Sequence, residues 1–318
     1  MTDGSTGRLI LASECLRVVI VPAMGGKIAS IQALPENDEL LQQPLRPIQP
    51  RTRDMAFGEG DASGYDECVP SVSGCEIQNT AGILAIPDHG DFWRLPFAVI
   101  AADENHAILE ATGFSLPLRF RKTLHLERDR LKLSYELENV GANAIQYLWS
   151  AHPGFAVQAG DRVLLPASVK EVGVEWSAGG RLGNQGTRLD WPQATAETRG
   201  ISDLSLVGTG SEPVGDKLFT SAPVEGWCAL YRRALGRRIE MRFDPRQAPY
   251  LGIWLSYEGW PENQTPKQFC VALEPCTAPT DSLAIAIEKS WAIPLAPGAT
   301  DHWQVEVHVA IARDGSWE

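Results

Sequence analysis

No apolar run in this sequence approaches the ~20 residues that a membrane-spanning helix requires. The opening segment, Met1-Thr2-Asp3-Gly4-Ser5-Thr6-Gly7-Arg8, has no basic stretch followed by an apolar one, so no secretion signal is read and a cytoplasmic protein is expected. Positive charge is short: 28 Lys and Arg stand against 40 Asp and Glu, for a net charge of −12. Such a field repels phosphate backbones and anionic lipid, so nucleic acid and membranes are excluded as expected partners, while a neutral small molecule is indifferent to it. The six cysteines (15, 68, 75, 228, 270 and 276) form no CxxC pair and read as reduced thiols. HExxH and paired Cys/His spacings are missing, so no metal is expected. Also missing are a Gly-x-Ser-x-Gly elbow and a glycine-rich phosphate loop after a strand, which removes support for an esterase-type hydrolase and for a nucleotide fold. Without an internal repeat or a Pro/Ser-rich linker, residues 1–318 read as a single domain.

What the sequence does have is alternation. Trp303, Val305, Val307 and Val309 alternate with Gln304, Glu306 and His308, and Leu131, Leu133, Tyr135 and Leu137 alternate with Lys132, Ser134, Glu136 and Glu138. Both are the period-two pattern of half-buried strands. Arg119–Leu126 and Leu131–Leu137 flank a short polar loop and predict a hairpin. Further strands are predicted at 16–21, 27–32, 97–102, 107–111, 144–150, 227–232, 238–243, 251–255 and 269–273. The 144–150 strand is expected to end near His152, because Pro153 cannot donate to a ladder. Helical periodicity is confined to 281–290, with Thr280 as its cap, and 177–210 reads as a long surface excursion. More than a dozen strands without alternating helices predict an all-β fold, a large antiparallel β-sandwich.

Of six histidines, four lie in or beside charged alternating strands. His89, within Pro87-Asp88-His89-Gly90-Asp91-Phe92-Trp93, and His152, within Trp149-Ser150-Ala151-His152-Pro153-Gly154, sit instead where turn residues and aromatics meet. Each fits a ligand-facing histidine at the lip of a sheet or a structural one. Glu274 closes the apolar run Phe269–Leu273. A carboxylate there must be solvated in a cleft, hydrogen-bonded or protonated, and it reads equally as a functional group or a loop brace. Ten tryptophans supply flat faces that pack a core or stack on a sugar ring.

Several segments in order resemble the aldose 1-epimerase (galactose mutarotase-like) superfamily. They are Val19–Ser30 with its Gly25-Gly26 turn, Gly64-Tyr65-Asp66-Glu67-Cys68-Val69-Pro70, Asp88–Trp93, Asn139-Val140-Gly141 leading to Trp149–Pro153, Asp216-Lys217-Leu218-Phe219, Leu251-Gly252-Ile253-Trp254, and Cys270–Thr277 with Asp281 beyond. The resemblance implies a large antiparallel β-sandwich and interconversion of the α and β anomers of a monosaccharide, without metal or cofactor, by a monomer or homodimer. By position it implies His152 as general acid, Glu274 as general base, His89 as the second sugar-binding histidine and Asp216 as a ligand-binding carboxylate. Trp93 and Trp254 are the candidate stacking indoles. The geometry expected is His89, His152 and Glu274 converging on one cleft, with His152 and Glu274 facing each other across a space the size of a pyranose ring. Two departures mark this chain. The family's arginine is missing from Gly64–Cys68, where Asp66 and Glu67 are expected to take part of its role, and Gly154 replaces the aromatic after His152-Pro153. A non-catalytic carbohydrate-binding protein, or another carbohydrate enzyme such as an epimerase or lyase, is the alternative on the same fold.

Overall fold

The computed structural model describes residues 2–3, 7–79, 82–196, 200–221 and 225–312. Its strands form a twelve-stranded and an eight-stranded sheet, with three two-stranded ribbons beside them. In the eight-stranded sheet, Leu118–Glu127 alternates between buried and half-buried residues and pairs with Arg130–Asn139 in the register Phe120 with Leu137, Leu124 with Leu133 and Leu126 with Leu131. This is the hairpin that the alternation predicts. Thr300–Ile311 adds to Arg130–Asn139 and buries Trp303, Val305, Val307 and Val309. One face of each strand therefore feeds a common apolar core shared with the inner face of the larger sheet, from Leu11, Val18 and Ile28 to Leu251, Ile253 and Leu273.

A charged pair sits inside that core. Lys122 Nζ lies 2.8 Å from Glu67 Oε2, and both side chains are essentially without exposure. The Tyr135 hydroxyl donates to Glu67 Oε1 at 3.0 Å and lies 3.3 Å from the Tyr65 hydroxyl. Tyr65 and Glu67 belong to the Tyr65–Cys68 strand of the larger sheet, Lys122 and Tyr135 to the smaller one, so the network fastens the two layers together. Burial pushes the Glu67 carboxyl up even with the ammonium beside it.

Three sequence expectations change. The segment 144–150 splits into strands Ile145–Tyr147 and Ser150–Ala156, and the second runs on through Pro153. The strand continues because the next amide, Gly154, donates to Gly64 O at 2.9 Å. The helix spans Leu283–Glu288 and is capped by Ser282, whose Oγ accepts from Ile285 N, while Thr280 Oγ1 donates to Glu175. The stretch 177–210 is more than a surface excursion. Strands Arg188–Asp190, Gln193–Ala196 and Gly200–Asp203 lie within it, and Leu182, Leu189, Ala194 and Leu204 are buried. All six cysteines are free thiols, four of them buried.

Removing one partner of a buried pair leaves an uncompensated charge and typically costs about 3–5 kcal/mol. Lys122→Met is therefore expected to destabilise the protein on that scale in urea denaturation, and Lys122→Met/Glu67→Gln to recover most of the loss. A single-variant loss below about 1 kcal/mol would show that the pair does not hold the layers.

Candidate active site

Register builds the site. Strand Ser150–Ala156 pairs antiparallel with Phe269–Cys276, Ser150 opposite Cys276 and Gly154 opposite Ala272. That register sets His152 directly across from Glu274, with both side chains on one face of the sheet. The ladder's bridges are interrupted between those two pairs, where Pro153 and Pro275 have no N–H to give. The same row continues through Asp66, opposite His152, and Gly252, opposite Glu274. Two residues along, the next row on that face reads Gly154, Ala272, Trp254, Lys217 and Trp176. The small residues make the floor. A side chain at Gly252 would come within 3.1 Å of Glu274 Oε2, so glycine there leaves room for the carboxylate.

Loops supply the rest. Phe57, Val72, His89, Trp260 and Asp281 close over this face around a cavity of about 190 Å³. His89 lies at φ 56 and is followed by Gly90 at φ +67, where any Cβ would sit 1.9 Å from Val69 O. This left-handed pair turns the His89 ring inward. Phe57 stacks on His89 with centroids 3.9 Å apart, and both rings meet His152 edge-on at 5.2 and 5.1 Å. Asp88 holds the arrangement, one oxygen 2.9 Å from His89 Nδ1 and the other accepting from Phe57 N at 3.0 Å. Burial alone would raise the Asp88 carboxyl, but the His89 contact outweighs it and keeps it below the ordinary value.

His89, His152 and Glu274 thus converge on one cleft with Trp254 beside them. His152 Nε2 lies 3.9 Å from Glu274 Oε1, closer than the ring-wide gap that the sequence suggests, because cross-strand neighbours stand side by side. The other Glu274 oxygen, Oε2, accepts from Lys217 Nζ, and Lys217 Nζ also lies 3.3 Å from Asp281 Oδ1. Glu274 Oε1 is buried and accepts no hydrogen bond.

Four sequence candidates lie outside the lining. Glu67 points into the core and is held by Lys122 and Tyr135. Asp216 points the same way, one residue out of phase with the cleft face, and pairs with Arg181 and Ser177. Asp66 has the correct face but is covered by Lys27, 3.1 Å away, and Arg51, 3.4 Å away. Trp93 is buried, edge-on beneath Phe57. Lys217 takes the cleft position beside Asp216 because successive strand residues face opposite ways. Alternation along Asp216–Phe219 was the signal for it. Nothing in the sequence pointed to Phe57, which reaches the site from a separate loop.

The environment sets the charges. Burial pushes the His152 imidazole down to about 4, against the pull of Glu274. Burial would raise Glu274, yet Lys217 and His152 outweigh it and hold the carboxyl below its ordinary value. Burial likewise would lower Lys217, but Asp281 and Glu274 keep the ammonium above the ordinary lysine range. Asp281, half-buried and beside Glu274 and Glu175, is pushed up to about 6 by desolvation despite Lys217.

These shifts give stability contributions of opposite sign. Between ~6.5 and about 4 the unfolded chain protonates its histidine while folded His152 does not, so this term is lost as pH falls. Between about 6 and ~4 folded Asp281 takes up a proton before the unfolded chain does, so that term is gained. Relative to the parent, His152→Asn should gain stability on going from pH 7 to 4.5, and Asp281→Asn should lose it, each by a few kcal/mol in urea titrations. Parallel pH dependence in all three proteins would contradict the assignment.

No protein-family model and no curated protein matches the chain. Solved structures do. A galactose mutarotase related enzyme from Lactobacillus acidophilus is 16% identical over 96% of this chain and 98% of its own, with a TM-score of 0.71. The Slr1438 protein from Synechocystis sp. PCC 6803 is 14% identical over 96% of both chains, also at 0.71. A galactose mutarotase-like protein from Lactobacillus casei ATCC 334 is 18% identical over 96% of this chain and all of its own, at 0.64. Identities this low speak for the path of the backbone and not for the side chains upon it. The chain is built on the galactose mutarotase-like fold.

Proposed function

We propose that this cleft interconverts the anomers of a monosaccharide, as an aldose 1-epimerase-like isomerase. The observation that carries the reading is Glu274 Oε1, a buried carboxylate oxygen with no hydrogen bond, 3.9 Å from His152 Nε2 in an indole-lined cavity. A buried acceptor left without a hydrogen bond is costly, and a hydroxyl group entering the cavity can fill it. Opening a cyclic hemiacetal requires a base at the C1 hydroxyl and an acid at the ring oxygen. Those two oxygens share one carbon, so two groups standing side by side reach both. In this reading Glu274 takes the proton of the C1 hydroxyl as the bond from C1 to the ring oxygen breaks, His152 protonates the ring oxygen, and the aldehyde rotates about C1–C2 and recloses with the roles reversed. His89, steadied by Asp88 and Phe57, holds the sugar, and Trp254 offers its apolar face.

The cleft also favours uncharged sugars. Lys217 is the cation in its lining and is already shared by Glu274 and Asp281. Arg51 is taken up by Asp61 and Asp66, Arg53 lies over Phe114, and Arg119 pairs with Glu138. Among the described residues lining the cleft, no cluster of the kind that binds phosphate is left over.

Polarimetry on freshly dissolved aldoses tests the reading. The protein should accelerate mutarotation above the spontaneous rate for at least one free aldose, and a hexose 6-phosphate should react more slowly than the free hexose. Glu274→Gln and His152→Asn should each lower kcat by about 100-fold or more with much smaller effects on sugar affinity. Failure to accelerate any aldose, or near-normal rates in Glu274→Gln, would refute the assignment.

The pH profile is a separate test. With the His152 imidazole held at about 4, its acid form grows in proportion to proton concentration over the range above that. kcat/KM should therefore rise about tenfold per unit as pH falls from 7 towards 5, then fall again once Glu274 is protonated. A flat profile between pH 5 and 7 would remove His152 as the acid.

A further inference from the structure

Lys217 has no role in the proton transfers described above, yet it occupies the centre of the cleft floor. It is cross-strand to Trp254 and Trp176, with its ammonium over Phe219 at 5.3 Å and between two carboxylates. Glu274 is wholly buried, and a carboxyl so placed with no cation beside it would carry a proton at neutral pH and be useless as a base. The ammonium binds only one of the two Glu274 oxygens and leaves Oε1 turned to His152.

We infer that Lys217 is a positioning residue that keeps the buried Glu274 carboxylate ionised and points its open oxygen at the substrate. This rests on the reading of Glu274 as a base, and it adds what makes that base available. The same ammonium divides its charge with Asp281, so protonation of Asp281 leaves Lys217 wholly to Glu274 and strengthens the clamp. Other ionisable groups facing this corner are His152 and His89 from across the cleft, Asp66 on the neighbouring strand, Glu175 behind Asp281, and the buried thiols of Cys68 and Cys276. Among the described residues that line the cleft Lys217 is the one lysine or arginine, and Lys27 and Arg51 are already engaged by Asp61 and Asp66.

The test reads Glu274 directly and needs no activity. Protein labelled with ¹³C at glutamate carboxyl carbons is titrated by NMR, the Glu274 signal being assigned by its loss in Glu274→Gln. The parent signal should titrate below the ordinary glutamate value. In Lys217→Met the midpoint should move up by more than about two pH units, since burial is then unopposed. Lys217→Arg should restore most of the parent value, and Asp281→Asn should shift the midpoint down. If the aldose reaction is present, the acid limb of kcat/KM should move with the NMR midpoint. Absence of mutarotation would sink the proposed function and leave the NMR result standing. Should Lys217→Met not fold, Lys217→Met/Glu274→Gln/Asp281→Asn is expected to fold, because it neutralises both carboxylates that Lys217 serves and strands no charge. A Glu274 midpoint within half a unit of the parent in Lys217→Met, or a triple variant as unfolded as the single, would overturn the inference.

Discussion

The antiparallel register between the strands carrying His152 and Glu274 is the constraint on which the site depends. Side chains on a strand alternate faces, and directly opposed residues stand as neighbours, so one register places an imidazole beside a carboxylate without any loop. The prolines that follow each residue leave the ladder open at that point, and Gly252, Gly154 and Ala272 keep the floor clear. A slip of one residue in either strand would send its own group to the opposite side of the sheet, bringing Ala151 or Pro153 to the cleft in place of His152, or Leu273 or Pro275 in place of Glu274.

Burying charge is the second theme, and the molecule does so in two ways. Glu67 has both oxygens engaged, by Lys122 and Tyr135, and serves to join the layers. Asp61 likewise answers Lys27 and Arg51, which hold its carboxyl well below the ordinary range against the effect of burial. Glu274 differs: one oxygen is paired and the other is left open towards a cavity. Asp66, Asp91 and Glu240 also keep a buried oxygen without a hydrogen bond, but none of them lines the cleft, so it is the open oxygen together with its place in the cavity wall that sets Glu274 apart from them. The low imidazole value of His152 follows from burial, and an interaction with a ligand made in such surroundings is stronger than it would be in bulk water.

The loop layer adds precision to this floor. Asp88 binds the backbone at Phe57 and the ring of His89 together, so an aromatic stack stands over the imidazole of His152. Gln268 performs a similar service for Trp254, whose indole N–H it accepts at 2.8 Å. Neither Asp88 nor Gln268 takes part in the proposed proton transfers, yet both hold side chains that line the cleft.

The sequence by itself determined the all-β class, the central hairpin, and His89, His152 and Glu274 as the residues to watch, because period-two alternation and unusual neighbours are local properties of the chain. It also contained the clue that separates Lys217 from Asp216, since adjacent strand residues cannot share a face. Only the tertiary structure decided which of the acidic residues reach the cleft. Asp66 and Glu67 lie in the resembling segment, but Lys27, Arg51 and Lys122, distant in sequence, claim them. Phe57 comes to the site from a segment that carries no periodic signal, and Asp281 precedes the short helix Leu283–Glu288, whose periodicity says nothing of which carboxylate its entry brings to Lys217. The strand through Pro153 continues because Gly64, just before the neighbouring strand Tyr65–Cys68, accepts from the next amide, a partner that no local reading can supply. Local pattern fixes which way a side chain faces, whereas ion pairing and cavity formation depend on which distant residues arrive beside it.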